Sequence, residues 1–389
     1  MSKTLLISEI FPPRHGGSGR WFVELYGRLP RDKYVIAAGQ APRDKEADAD
    51  LSERLNIIRL PLSSQSWGLR SLTGLRFYFS SYHRLMRLIR DENVTQIHCG
   101  RCLPEGVLGW LLNRRLGLPY LCYVHGEDVQ TAMESRELSW MIRRVFSGAS
   151  RLIANSHNSA KLLNDNWQVG SDKITVLHPG MDAKRFVPAA ANPEFLNKMG
   201  WQERTVILTV GRLQRRKGQD MLIRALPSLI EQHPDVLYAI IGDGEERQAL
   251  ATLVTELNLE EHVKFLGEVD DETMISCYQQ CTMFALPNRT EGSDIEGFGM
   301  VLAEAQACGK AVLAGDSGGT RETMLVGSTG TIVDCQSPEP LAKALDTLLA
   351  DPEQLEKMGR RAREHVCAAL DWPVHVTQAT QIFESVETA

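Results

Sequence analysis

No stretch of the 389-residue sequence approaches the roughly 20 consecutive apolar residues that a membrane-spanning helix needs. The densest apolar runs, at 206–210 and 237–241, are only strand-length. The N-terminus carries one short apolar run ending at Glu9, too brief for the core of a secretion signal, so a cytoplasmic protein is expected. A G-x-x-x-x-G-K-[ST] loop is missing, which removes that device for ATP hydrolysis. A G-x-G-x-x-G loop with an acidic residue closing the next strand is missing too, which disfavours a nicotinamide dinucleotide. Paired zinc spacing is absent: Cys99 and Cys102 form one C-x2-C, and Cys277 and Cys281 stand four apart on a predicted helix. The only Asp-x-Asp, Asp48-Ala49-Asp50, falls in an acidic stretch that reads as a solvated loop, so no metal site is expected. No short-period repeat is present.

What is there is ordinary globular composition, 43 % apolar and 24 % charged, which excludes a disordered or fibrous chain. Charge is uneven along it. Residues 1–185 hold 26 Lys+Arg against 18 Asp+Glu, a net of +8, while the remaining 17 and 31 give −14; the sum is the −6 of the whole chain. A basic front half points to an anionic partner there. Both halves alternate short apolar runs with helical patterns, as parallel sheets with crossover helices do. The first half predicts strands at 4–8, 34–38, 57–60, 95–98, 120–124 and 151–154, with a short one at 175–177, and a helix over about 20–29. The second predicts strands at 205–210, 237–241, 263–266, 283–285 and 311–314, and helices at 221–233, 246–257, 272–280 and 300–308. A helical tail runs over 338–384 with a break at Asp371-Trp372-Pro373. The expected architecture is two doubly wound α/β domains in tandem, 1–187 and 188–372, binding ligands beyond the carboxyl ends of their strands.

Four segments at such strand ends carry chemistry. Phe11 to Arg20 includes Gly16 and Gly17 and opens a helix, so a ligand can approach its backbone and an anion can meet free N–H groups. The alternative is a plain tight turn. Gly211-Arg212-Leu213-Gln214-Arg215-Arg216-Lys217-Gly218 places four cations in six residues, an anion trap unless it is a solvated basic turn. Glu296-Gly297-Phe298-Gly299-Met300-Val301-Leu302-Ala303-Glu304 sets two carboxylates eight residues apart across a helix start, with the 298–301 N–H groups at its mouth. Such carboxylates suit sugar hydroxyls; a glycosidase acid/base pair and, for Glu304, a salt-bridged helix face are the alternatives. His125-Gly126 follows the 120–124 strand, well placed for a ligand, although a lone histidine is more often structural than functional.

In these residues the chain closely resembles, essentially end to end, the retaining glycosyltransferases of family 4, which have the GT-B fold. Phe11-Pro12-Pro13-Arg14 ahead of Gly16-Gly17, and Asp294-Ile295-Glu296-Gly297 leading to Glu304, resemble the phosphatidylinositol-mannoside mannosyltransferases. Two departures lie nearby: Ser293 shortens a glycine run, and Thr320-Arg321 replaces a small-Pro pair. The resemblance implies two Rossmann-like domains facing a central cleft, with the C-terminal helix 373–389 crossing back to the first. It implies that Arg212 and Lys217 clamp the diphosphate of a nucleotide-sugar donor, and that Glu304 holds its ribose. Glu296 and the backbone of Gly297, Phe298, Gly299, Met300 and Val301 would hold the sugar and distal phosphate. Gly16 and Gly17 would admit the donor, His125 would contact the sugar, and Gly267-Glu268-Val269 would meet the base. The catalytic set would be His125, Arg212, Lys217 and Glu296, without metal or other cofactor, moving mannose from GDP-mannose to a lipid-linked or glycan acceptor. Alternatives are a UDP-sugar transferase, a non-catalytic sugar-nucleotide-binding subunit, and an epimerase or phosphorylase of the same fold.

On the acceptor side, 67–90 carries Arg70, Arg76, Arg84, Arg87 and Arg90 among Phe77, Tyr78, Phe79 and Tyr82, with no acidic residue. That pattern predicts a basic amphipathic helix suited to an anionic membrane surface, at the inner face of the cell membrane. The competing reading is a helix packed on its sheet with its charges in water. Nucleic acid is not expected as a partner.

Overall fold

The computed structural model describes residues 3–14, 16–64, 67–292 and 294–387. His15 of the first loop and Ser293 lie outside them. The chain divides into two compact units, residues 1–180 with 373–389, and residues 181–372. The division falls earlier than the break expected after residue 187 because residues 181–186 are tied to the second unit. Met181 N–H donates to the Leu370 carbonyl, Ala183 N–H to Asp371, and the Arg363 guanidinium reaches the carbonyls of Ala183 and Phe186.

The first unit holds seven parallel strands: β1 (Thr4–Ser8), β2 (Tyr34–Gly39), β3 (Ile57–Leu60), β4 (Gln96–Cys99), β5 (Tyr120–Val124), β6 (Arg151–Ala154) and β7 (Ile174–Val176), in the order β3-β2-β1-β4-β5-β6-β7. The second holds six: β8 (Thr205–Val210), β9 (Val236–Ile241), β10 (Val263–Gly267), β11 (Met283–Leu286), β12 (Val312–Gly315) and β13 (Gly330–Val333), in the order β10-β9-β8-β11-β12-β13. Both sheets are doubly wound as expected. The strand order reverses between β1 and β4 in one and between β8 and β11 in the other, and those crevices are where such sheets take ligands.

Buried apolar runs make these strands because each sheet is covered on both faces. In β8, Val206, Leu208 and Val210 enter one core cluster and Ile207 the opposite one, the period of two that a pleated strand imposes. In the first unit, Leu5, Ile97, Tyr120 and Cys122 pack on one face. Helix Gly17–Tyr26 and the C-terminal helix Trp372–Glu387 meet the other. There Tyr26 stacks on Phe383, Trp21 Nε1–H donates to His375 Nε2 at 2.9 Å, and Gln96 donates to the Phe383 carbonyl. His98, mid-strand in β4, shares a 2.7 Å hydrogen bond with the Tyr26 hydroxyl.

The structure corrects three expectations. Residues Asp44–Leu51 form a helix, not a loop, and Asp48 is not a solvated acid. Its carboxylate takes two bonds from Arg59, at 3.0 Å from Nε and 2.6 Å from a terminal nitrogen, and Arg59 also donates to the Gly39 and Pro12 carbonyls. Strand β13 was not expected: it is a short, partly exposed edge strand behind a Gly327 turn, with little apolar signal. The tail breaks once more than expected, at Asp351, whose carboxylate caps helix Pro352–Ala369 by accepting from Gln354 N–H.

The basic segment forms helix Leu72–Asp91, capped by Ser71. Phe77, Tyr78, Leu85, Leu88 and Ile89 pack into the core. Arg76, Arg84, Arg87 and Arg90 face water, and beside them so do Leu72, Leu75 and Phe79, the last 70 % exposed. Among the described residues no helix is long and apolar enough to cross a membrane.

Candidate active site

The loops leaving β8 and β11 meet at the reversal point of the second sheet. After β8 the chain makes a short 3-10 turn at Arg215–Lys217 and leaves it through Gly218 in the left-handed region, φ 73°. A Cβ at Gly218 would stand 1.8 Å from the Pro287 carbonyl oxygen, so only glycine lets the cationic turn close onto the end of β11. Beyond β11, Arg289 N–H donates to the Arg216 carbonyl at 2.8 Å. The buried Arg289 guanidinium grips Asp220 in the first turn of helix Gln219–Ile230, at 2.7 and 3.2 Å, and reaches Glu291. Further along, Gly319 N–H donates to the Glu296 carbonyl at 3.0 Å, and a Cβ at Gly318 would collide with that oxygen. The Ser317-Gly318-Gly319 turn after β12 thus supports the backbone of Glu296.

This framework assembles a compact charge cluster. Glu296 Oε2 accepts from Lys217 Nζ at 2.5 Å and from Arg216 Nη1 at 2.8 Å. Arg216 Nε reaches Asp294 Oδ1 at 2.9 Å. The side chains of Lys217, Arg216 and Glu296 are only 11 %, 14 % and 10 % exposed. Burial pushes the Glu296 carboxyl upward, but Lys217 and Arg216 outweigh it and hold the group below the usual carboxylate range. Asp294 moves the other way: burial and the charge of Glu296 raise it against the pull of Arg216.

Arg212 is not part of this cluster. Its side chain is 70 % exposed and loosely paired with Glu245 at 3.8 Å. Glu304 lies in helix Met300–Ala307, buried at 2 % exposure, and accepts from the Tyr278 hydroxyl at 2.9 Å. Gly299 starts that helix in the left-handed region, with Phe298 buried and Met300 and Val301 packed against the same core. Gly267 ends β10, its carbonyl accepting from Gly242 N–H at 2.8 Å; space is open beside its Cα, and Val269 is half-buried.

In the first unit, Gly16 and Gly17 open helix Gly17–Tyr26, both exposed, with no side chain capping the helix start. A Cβ at Gly16 would press on Ile10, whereas Gly17 faces open space. His125 follows β5. Its Nε2 lies 2.9 Å from the Gly100 carbonyl, and a carbonyl only accepts, so Nε2 carries the proton and Nδ1 is left as acceptor. Asp128 accepts from the backbone N–H groups of His125 and Cys102. Burial lowers the His125 pKa despite that carboxylate, which keeps the ring neutral.

Comparison with known proteins adds the chemistry. A glycosyltransferase family 4 model matches residues 15–185, and a glycosyl transferases group 1 model matches residues 192–365. The chain is 31 % identical over 383 residues to the GDP-mannose-dependent alpha-(1-6)-phosphatidylinositol monomannoside mannosyltransferase of Mycolicibacterium smegmatis, covering 95 % of this chain and 94 % of that one. It belongs to glycosyltransferase family 4. A second relative, the D-inositol 3-phosphate glycosyltransferase of Corynebacterium jeikeium, is 29 % identical over 327 residues, 78 % of this chain and 76 % of that one. The fold matches Anabaena HepE in complex with UDP at a TM-score of 0.82 and 20 % identity, covering 98 % and 100 % of the two chains. Sucrose-phosphate synthase of Thermosynechococcus elongatus matches at 0.81 and 22 %, covering 99 % of each. These neighbours establish the GT-B fold.

Within this glycosyltransferase the structure brings two of the expected site residues, Lys217 and Glu296, into direct contact. Arg216 and Asp294 complete their cluster without having been singled out. Sequence reasoning also passed over Glu105, at the β1/β4 reversal point. Its Oε1 accepts from Glu9 N–H at 2.8 Å and lies 3.7 Å from Arg101 Nε, while Arg101 also donates to Glu9 at 2.7 Å. Burial raises the Glu105 carboxyl to about 7, against the lowering effect of Arg101. The signal available for it was a glutamate in the loop seven residues past the end of the predicted 95–98 strand, in Pro104-Glu105-Gly106.

Proposed function

We propose that this family 4 enzyme is a retaining, metal-independent mannosyltransferase that uses GDP-mannose and a lipid-linked acceptor at an anionic membrane surface. The observation that carries the reading is the buried Lys217–Glu296–Arg216 cluster at the reversal point of the second sheet, cation and carboxylate side by side. A diphosphate needs the first and a sugar hydroxyl the second. Two relatives at 30–31 % identity are named as GDP-mannose-dependent mannosyltransferases, which favours that donor.

In this reading Lys217 meets the diphosphate, and the exposed Arg212 turns from Glu245 to join it. Glu296 and the 297–301 backbone hold the sugar and distal phosphate, Glu304 the ribose, and Gly267 to Val269 the base. Gly16, Gly17 and the unprotonated Nδ1 of His125 serve the sugar. The bond from the anomeric carbon to the phosphate oxygen breaks. The acceptor oxygen bonds to that carbon on the same face, and its proton passes to the departing phosphate. Fixed cations on the leaving group lower the barrier where charge develops, the role a divalent ion would otherwise fill.

The acceptor reading rests on helix Leu72–Asp91. Its exposed arginines lie beside exposed Leu72, Leu75 and Phe79, so it offers both charge and apolar area to a bilayer surface. Transfer from a panel of GDP- and UDP-sugars to a lipid extract, with products identified by mass spectrometry, tests the function. GDP-mannose should give a mannosylated lipid at undiminished rate in EDTA, and the enzyme should sediment with anionic vesicles more than with neutral ones. A UDP-sugar as the better donor, rescue by Mg²⁺ after EDTA, or equal sedimentation would overturn the corresponding part.

A further inference from the structure

We infer that Arg216 is a positioning residue for the sugar-holding carboxylate Glu296, with Asp294 as its second anchor, and is not a ligand of the donor diphosphate. The inference rests on the donor reading above and deepens it.

Arg216 sits in a turn with Arg215 and Lys217, and all three belong to one cationic run of the sequence. The structure separates them. Arg215 is exposed. Lys217 touches Glu296 with one of its three donors. Arg216 turns inward, 14 % exposed, and lies between two carboxylates of one loop, Nη1 on Glu296 and Nε on Asp294. A guanidinium is a rigid plane, so two bonds on different nitrogens fix its orientation, and through it the Glu296 carboxylate. Its backbone is fixed as well by the Arg289 N–H bond to the Arg216 carbonyl.

The loop is held to match. Asp294 and Glu291 exchange both backbone hydrogen bonds, at 2.9 and 3.1 Å, and Gly319 holds the Glu296 carbonyl. Both bonds to the Glu296 carboxylate fall on Oε2; among the described residues no donor reaches Oε1. One oxygen is thus spent on orientation, and the other is the acceptor for a sugar hydroxyl. Two cations on one carboxylate also keep it ionised, as an acceptor must be.

The test compares wild type with Arg216→Lys and Asp294→Asn, using GDP and GDP-mannose affinity by calorimetry and kcat and KM for transfer. Arg216→Lys keeps the charge and loses the planar fork. It should leave GDP affinity within about threefold of wild type. It should reduce kcat on the order of 10²-fold, the scale of a misplaced reacting group. Asp294→Asn should shift in the same direction by less, and the double variant should fall no further than Arg216→Lys alone, because the two act as one unit. A tenfold or greater loss of GDP affinity in Arg216→Lys would make Arg216 a diphosphate ligand. Unchanged kcat in both variants would make the cluster structural. Either result overturns the inference. If wild type binds neither nucleotide nor nucleotide-sugar, the donor reading itself has failed, and that outcome is visible before any variant is made.

Discussion

Lys217→Ala is expected to lower the transfer rate by about 10²–10³, roughly 3–4 kcal/mol, because in the proposed reaction it removes a preorganised cation from the place where the leaving diphosphate gains charge. The loss should appear mainly in kcat, since charge on the leaving oxygen is largest in the transition state. The fold should hold, because Arg216 stays on Glu296 at 2.8 Å and the buried carboxylate is not left uncompensated. Single-turnover kinetics beside a thermal melt separates the two effects. Retention of more than about a tenth of the wild-type rate would remove Lys217 from the leaving-group site. A fall in melting temperature large enough to explain the lost activity would make it a structural cation.

His375 and His98 should make the first unit sensitive to acid. Burial lowers both imidazoles to about 3, and His375 must be unprotonated at Nε2 to accept from Trp21. In the unfolded chain a histidine titrates near 6.5, so between about pH 6.5 and 3 the unfolded state binds more protons. Stability from each group is therefore full above pH 6.5 and is lost as pH falls toward 3. Glu105 has the opposite sign: raised to about 7 when folded, it adds stability at low pH that is lost as pH rises through 7. Because the contributions oppose, the useful quantity is a difference between proteins. Urea unfolding of wild type and His375→Gln at pH 7.5 and pH 5 should show the cost of the substitution shrinking by about 2 kcal/mol at the lower pH. An unchanged difference would mean that His375 titrates normally and is not locked between the C-terminal helix that carries it and Trp21 of helix Gly17–Tyr26.

Much of the fold is legible in the sequence because the strands are continuous apolar runs that end abruptly. Strands β1, β3, β5, β6 and β8 fall on the residues read from the pattern. Helix Asp44–Leu51 is not legible, since its acidic composition resembles a loop and what holds it is an arginine eleven residues beyond Asp48. The candidate site divides the same way. The position of Lys217 and Glu296 beyond strand ends follows from the alternation of strand and helix, and the structure puts them 2.5 Å apart. Which arginine turns inward does not follow, because Arg212, Arg215 and Arg216 differ only in where the 3-10 turn and the left-handed Gly218 aim them. Glu105 is invisible for a similar reason: its burial depends on β1 and β4 being neighbours, a contact across about ninety residues of chain.

The most direct test of the account is the anomeric configuration of the product formed from ¹³C1-labelled GDP-mannose and a lipid acceptor in the presence of EDTA, read by NMR before any spontaneous exchange. The account predicts an α-mannoside, formed with the donor's configuration retained and without added metal. A β-mannoside, or no transfer until Mg²⁺ or Mn²⁺ is restored, would contradict it.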